Sequence, residues 1–265
     1  MTTTTLVPPP THRSELPVTA TALARALRTV LRLPVLFLSP LSMSVFFLAI
    51  YSGQLEQVGS TYLGGVSFGT FILPLILVTG AVTAAAATGE LLVRDVKSGY
   101  LDRLVLAHGS VRPYVVAAAL TGMLIVVAHS CLVVLAGFFV GFEAASVADV
   151  ALLVGYAVAL GLGVGLLGAA VALRFAESSM VNMVTVAFFG LSFFTGFLAP
   201  AGQLAGWLKA VSVANPLTYV LEAMRDTVAP QPSASHVLAV LILTAVVVLG
   251  AAGCAWATGD REARR

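Results

Sequence analysis

The chain has 265 residues, 59% of them hydrophobic and only 10% charged, with a formal net charge of +2. A soluble domain carries roughly 25% charged residues, so the composition excludes an ordinary water-soluble fold and makes lipid the missing solvent. The net charge is too small to suggest nucleic-acid binding, and the two cysteines, Cys131 and Cys254, have neither disulfide nor metal spacing.

The first residues, MTTTTLVPPPT, are rich in Thr and Pro and read as a disordered tail over 1–18. They are not expected to form a signal peptide, because the first apolar stretch begins only after Arg32 and lacks a small-x-small cleavage site. From Thr19 to Arg32, helical spacing puts Leu23, Leu27, Val30 and Leu31 on one arc and Arg25, Arg28 and Arg32 on the opposite one. Such a helix is predicted to lie along the membrane surface.

Charged residues then cut the chain into six long uncharged windows: 33–55, 57–89, 113–142, 150–173, 178–208 and 227–259. Crossing the hydrocarbon takes about 20 apolar residues, so each window holds one span. Spans are expected near 34–52, 66–87, 114–140, 150–173, 180–198 and 236–257. They are expected to be helices, since lipid admits only helices and closed barrels and the windows lack the alternation of barrel strands. Gly161, Gly165 and Gly168 of the fourth span let another helix approach closely, within the bundle or at a dimer seam.

Twelve of the fourteen Lys and Arg residues fall before span one, between spans two and three, after span four or after span six; only Lys209 and Arg225 fall on the other side. That bias predicts that both termini are cytoplasmic. The loop over 89–113 holds Glu90, Arg94, Asp95, Lys97, Asp102, Arg103 and Arg112, a pattern of mixed sign that a protein partner could recognise. Gly99 permits a sharp turn there, and Tyr100, Leu101 and Leu104 offer an apolar ridge. Residues 199–234 are broken by Pro200, Pro216, Pro230 and Pro232, yet are too apolar for a free loop. Asn215-Pro216 turns into a short helix on which Glu222 and Arg225 can pair. The segment reads as a helical hairpin dipping in from outside.

The chain has no GxxxxGK[ST] phosphate loop and no HExxH, and no serine is read as a G-x-S-x-G nucleophile elbow. His129, within span three, is read as a neutral histidine hydrogen-bonded between helices, and His236, at a span edge, as interfacial. All twelve acidic residues lie outside the spans or at their rims, so no proton relay supplies energy. A six-span bundle of this kind points to a pore subunit driven by a partner.

Two stretches carry a family resemblance. Asp95, Gly99, Asp102, Arg103 and Leu104 fit the pattern D-x-x-x-G-x-x-D-R-[FL]. SFFTGFLAPAGQLAGWLKAVSVANPLTYVLEAMR fits a second pattern at Phe194, Pro200, Leu208, Asn215, Pro216, Leu217, Tyr219, Glu222 and Arg225. On these the chain resembles, over nearly its whole length, the permease subunit of type-2 ATP-binding-cassette exporters of the daunorubicin-resistance group. It departs from that group after the Asp-Arg pair, where His108 stands in place of a proline and Arg112 comes one residue late.

The resemblance implies an all-α membrane protein: six transmembrane helices, an N-terminal interfacial amphipathic helix (Arg25, Arg28, Arg32), and an extracellular re-entrant helical hairpin between spans five and six. The permease domain would cover 19–259 and a cytoplasmic tail 260–265, in a bacterial cell membrane. It implies a cytoplasmic ATPase subunit, a second permease copy or homologue, and surrounding lipid. ATP and magnesium would be held by the ATPase, with no cofactor or metal in this chain. Asp95 to Leu104 would form the helix that couples to the ATPase, and Glu90 a cytoplasmic gate. Asn215, Pro216, Tyr219, Glu222 and Arg225 would help close the exit. The cargo class would be amphipathic drugs, lipids or glycan precursors. The alternatives are a self-sufficient carrier or channel, which needs a midplane ionisable site or inverted repeats, and an intramembrane enzyme. For the latter, neighbouring His129 and Ser130 point about 100° apart on a helix.

Overall fold

The computed structural model describes residues 15–62, 67–144, 146–196, 205–228 and 236–263. Among them are ten helices: α1 (Glu15–Arg32), α2 (Val35–Tyr62), α3 (Phe68–Lys97), α4 (Tyr100–His108), α5 (Arg112–Phe139), α6 (Val147–Phe175), α7 (Ser178–Phe193), α8 (Gly206–Ala214), α9 (Pro216–Asp226) and α10 (His236–Ala263). No strand occurs among the described residues. Helix ends follow local chemistry. Ser67 caps α3 by accepting a hydrogen bond from the Thr70 amide at 3.1 Å, and Ser146 caps α6 through the Asp149 amide at 3.2 Å.

Five helices are long and apolar enough to cross a membrane: α2 over Val35–Leu55, α3, α5, α6, and α10 over His236–Arg261. They fall on predicted spans one to four and six. The expected fifth span is α7, which has only 16 residues. At 1.5 Å per residue it is about 24 Å long, against a hydrocarbon core of about 30 Å. Phe194 closes it, and Gly196 takes φ 70° before the apolar window ends. The remainder of that window, through Pro200 to 204, lies outside the described residues, as do 1–14, 229–235 with Pro230 and Pro232, and 264–265. Two boundaries move: α1 starts at Glu15 rather than Thr19, and α10 runs into the stretch assigned to the C-terminal tail.

α3 is the centre of the bundle. Of its most apolar window 83% is buried, against 17% for α2 and 22% for α10. It packs against α2, α5, α6 and α7, with Ile72, Leu73, Leu77 and Ala81 fully enclosed. Small residues bring its neighbours in: Gly165 of α6 faces Thr88, and Gly161 faces Val126 of α5. The glycine face expected on span four is therefore bundle packing. A separate pair, Gly163 and Gly250, seats α6 against α10, where a Cβ at either position would meet the other helix's backbone. His129 is fully buried between α5 and α2, 3.1 Å from the Ser44 hydroxyl, and fills the space left by Gly80 of α3. It works as an interhelical strut, as its place in the sequence suggests. The chain's two tryptophans lie far apart: Trp207 on α8 and Trp256 on α10, 65% and 63% exposed.

Candidate functional site

One end of the bundle gathers charge. α3 continues as a helix past its expected end to Lys97, and the chain then turns at Gly99, with φ 64°, into α4. A second left-handed glycine, Gly109 at φ 84°, closes α4. Glycine adopts these angles without the clash a Cβ would bring. The expected charged loop is therefore a nine-residue helix held between two glycine corners.

The apolar ridge of this segment turns inward. Leu101 is fully buried and Val105 nearly so, in a cluster with Leu92, Val115 and Leu173. Asp102, Arg103 and Leu106 point outward, and Leu106 is 83% exposed. Leu106 was not singled out from the sequence; its position at i+4 from Asp102, away from Leu101 and Val105, was the available signal. Arg103 folds back on its own turn, donating from Nε to the Gly99 carbonyl at 3.3 Å and from Nη2 to the Ser98 carbonyl at 3.1 Å. It thereby satisfies carbonyls just beyond the C-terminus of α3.

Asp95 and Arg25, read separately from the sequence, meet here. Arg25 donates from Nη1 and Nη2 to the two Asp95 carboxylate oxygens, at 2.9 and 2.7 Å, and its guanidinium lies 3.6 Å over the Tyr100 ring. The bidentate bond to Asp95 holds the Arg25 guanidinium above its ordinary pKa, against the opposing effect of burial. Arg25 looks into the bundle with Val18 and Ala22, while Leu16 and Leu31 are 82% and 81% exposed on the outer side.

The other charges tie helix ends together. Asp102 of α4 lies 3.8 Å from Arg261 of α10, whose Nε donates to the Leu173 carbonyl of α6 at 2.8 Å. Lys97 reaches Glu177 at 3.2 Å, and Arg174 reaches Asp260 at 3.9 Å. Glu90 accepts a hydrogen bond from the Ser178 hydroxyl at 2.9 Å, linking α3 to the start of α7.

The opposite end is built on Asn215. Its side-chain oxygen accepts from the Leu217 amide at 3.0 Å and caps α9, where Pro216 takes the first helical position without needing a donor. Its amide nitrogen donates to the Leu191 carbonyl at 2.6 Å. Tyr219 donates to the Val213 carbonyl at 2.8 Å, and Thr218 to the Ser212 carbonyl at 2.7 Å. α8 and α9 thus form a pinned corner, and α9 buries Leu217, Val220, Leu221 and Met224 in the main core.

On α9, Glu222 and Arg225 are electrostatic neighbours, and the Arg225 guanidinium also lies 3.9 Å over the Phe71 ring of α3. Sequence reading also missed a relay at this end. Tyr156 of α6 donates to His236 Nδ1 at 2.8 Å, and His236 Nε2 donates to Asp226 of α9 at 2.8 Å. The string GVSFG over 65–69 does carry the letters of a nucleophile elbow. Its Ser67 is instead a helix cap bonded to Thr70 and the Gly141 carbonyl.

Both patterned stretches therefore fold as helix corners at opposite ends of one bundle. Residues 18–229 match the family described as ABC-2 type transporter. The chain belongs to that family. No curated protein matches it. As an ABC-2 type transporter component it is a multi-pass, all-helical membrane permease, and its family implies a partner ATP-binding subunit.

Proposed function

We propose that the permease is the membrane half of an ATP-driven exporter. In this reading two copies, or this chain and a homologue, form the pathway, each docked on a cytoplasmic ATPase subunit that holds ATP and magnesium. The charged end faces the cytoplasm, with both termini, in agreement with the bias of Lys and Arg. α7 belongs to the fifth of six crossings, and α8–α9 forms a re-entrant hairpin closing the outer side. The cargo is an amphipathic drug, lipid or glycan-type molecule.

The observation that carries this reading is α4. It is a rigid, short helix between two glycine corners, anchored inward by Leu101 and Val105 and offering Asp102, Arg103 and Leu106 outward. A partner pressing on α4 pushes on the end of α3, the most buried helix, and through Arg25 and Asp95 on α1. Glu90, bonded to Ser178, sits where α3 and α7 would part if the cytoplasmic gate opened.

The test is co-purification of tagged permease in mild detergent, followed by vanadate-sensitive ATPase turnover. A stoichiometric ATPase subunit is expected with the natural chain. Arg103→Glu is expected to insert normally but lose most of that turnover, because an outward charge contact becomes repulsive. A chain that purifies alone and moves solute in vesicles without ATP would overturn the exporter reading in favour of a self-sufficient carrier or channel.

A further inference from the structure

Four arginines converge where α1 crosses α3. A cleft of about 190 Å³ is bounded by Arg25, Thr29, Arg94 and Asp95 over an apolar floor that includes Leu91 and Ala118. An adjoining cleft of about 380 Å³ is lined by Arg25, Arg28, Thr29 and Arg32 alone. Arg25 and Thr29 are common to both, so the two form one basic recess. Asp95, its one carboxylate, is already held by both Nη atoms of Arg25. The side chains of Arg28, Arg32 and Arg94 are exposed and make no hydrogen bond or ion pair among the described residues. Arg28 and Arg32 thus line the larger part of the recess and Arg94 the smaller, where Asp95 is already bonded to Arg25.

The surroundings say what kind of anion fits. The outer face of α1 exposes Leu16 and Leu31, 82% and 81% accessible, as a helix lying in the acyl boundary would. The recess beside it then sits at headgroup depth, with arginines for a phosphate and an apolar floor for the carbon chain below. Guanidinium forks match phosphate oxygens in pairs.

We propose that this recess binds the phosphate of an anionic phospholipid from the surrounding leaflet, with Arg28, Arg32 and Arg94 as its ligands. Arg25 is the positioning residue: its bond to Asp95 fixes α1 against α3 and so sets the distance between Arg94 and the two arginines of α1. The proposal stands apart from transport, and its test involves none.

Full-length permease in mild detergent is titrated with phosphatidylglycerol or phosphatidylcholine and read by native mass spectrometry. Phosphatidylglycerol is expected to bind at least about ten-fold more tightly, with each of Arg28→Gln and Arg32→Gln weakening it about five-fold. Arg94→Lys should retain the preference because the charge remains. The variant with all three changed to Gln should bind both lipids alike, while circular dichroism and a single size-exclusion peak show that it is folded. Should it fail to fold, the two single Gln variants decide the matter. Equal binding of the two lipids by the natural chain, or an unchanged preference in the Gln variants, overturns the site. Displacement of the lipid by millimolar inorganic phosphate would reassign the recess to a free anion and overturn the lipid. A Gln variant that keeps its lipid preference but loses a co-purifying protein would give the arginines to an acidic protein partner, again overturning it.

Discussion

Arg25 and Asp95 lie 70 positions apart yet form the best-defined ion pair of the charged end, with side chains 40% and 21% exposed. A fully exposed pair contributes about 0–1 kcal/mol; two bonds in a half-buried place, with an aromatic ring beneath, should do somewhat better. A double-mutant cycle of Arg25→Ala and Asp95→Ala is expected to give a coupling of about 1–2 kcal/mol in chemical unfolding. Arg25→Lys should recover less than half, since an ammonium can neither bond as a fork nor stack flat on Tyr100. Additivity within about 0.3 kcal/mol would remove the latch. At the other end, Arg225 lies over the Phe71 ring as well as beside Glu222 on α9. Phe71→Leu and Arg225→Met are expected to be non-additive by about 1–2 kcal/mol, more than Glu222→Gln with Arg225→Met. The reverse order would make Glu222 the stronger partner of Arg225.

At the scale of elements, the apolar windows located the membrane helices because a long uncharged run in lipid has few other choices. Helix ends were less visible. α3 outlasts its expected span by ten residues, from 87 to Lys97, since charged residues at a helix end are stable once they reach water or one another. α7 stops short because a turn at Phe194 to Gly196 interrupts an otherwise uniform apolar stretch. The inward roll of Leu101 and the inward look of Arg25 were not legible, because amphipathic spacing defines two faces without saying which one a neighbour will cover. Asn215-Pro216 was legible as a corner, while its bond to Leu191 depends on α7 arriving from 24 positions away. The corner at Gly99 allows a direct check. Gly99→Val puts a branched side chain at φ 64°, a cost of about 1–2 kcal/mol or more. Asn at the same position should be much better tolerated. Limited proteolysis of the α3–α4 turn is expected to accelerate in the Val variant and stay near the natural rate in the Asn variant; equal rates would deny the corner its role.

The whole molecule has its polar contacts at two ends and a largely apolar waist. The outward sides of α2, α7 and α10 expose Phe46, Met183, Val186, Leu241 and Leu249, more contiguous apolar surface than a water-soluble chain tolerates. An apolar groove of about 630 Å³ between α6 and α10, walled by Leu152, Gly155, Val240 and Leu243, ends at the Tyr156–His236–Asp226 relay. If α9 is held to α6 and α10 through that relay, His236→Phe should loosen α9 while leaving the spans in place. Hydrogen exchange across 216–226 is expected to rise several-fold in that variant, with α3 unchanged. Exchange that stays at the natural rate would show that apolar burial alone holds α9.

The two exposed tryptophans give the bundle a ruler of its own. Trp207 stands on α8, and Trp256 lies 6.0 Å from Arg174 among the charged helix ends, so each is expected near a different water boundary, where indoles prefer to rest. Trp207→Phe and Trp256→Phe each leave one fluorophore. In vesicles of lipids brominated at successive carbons, both remaining signals should dim most when bromine sits near the headgroup and least when it sits mid-chain. One bright and one dark ring would mean that the molecule sits askew, with one boundary pulled into the oil.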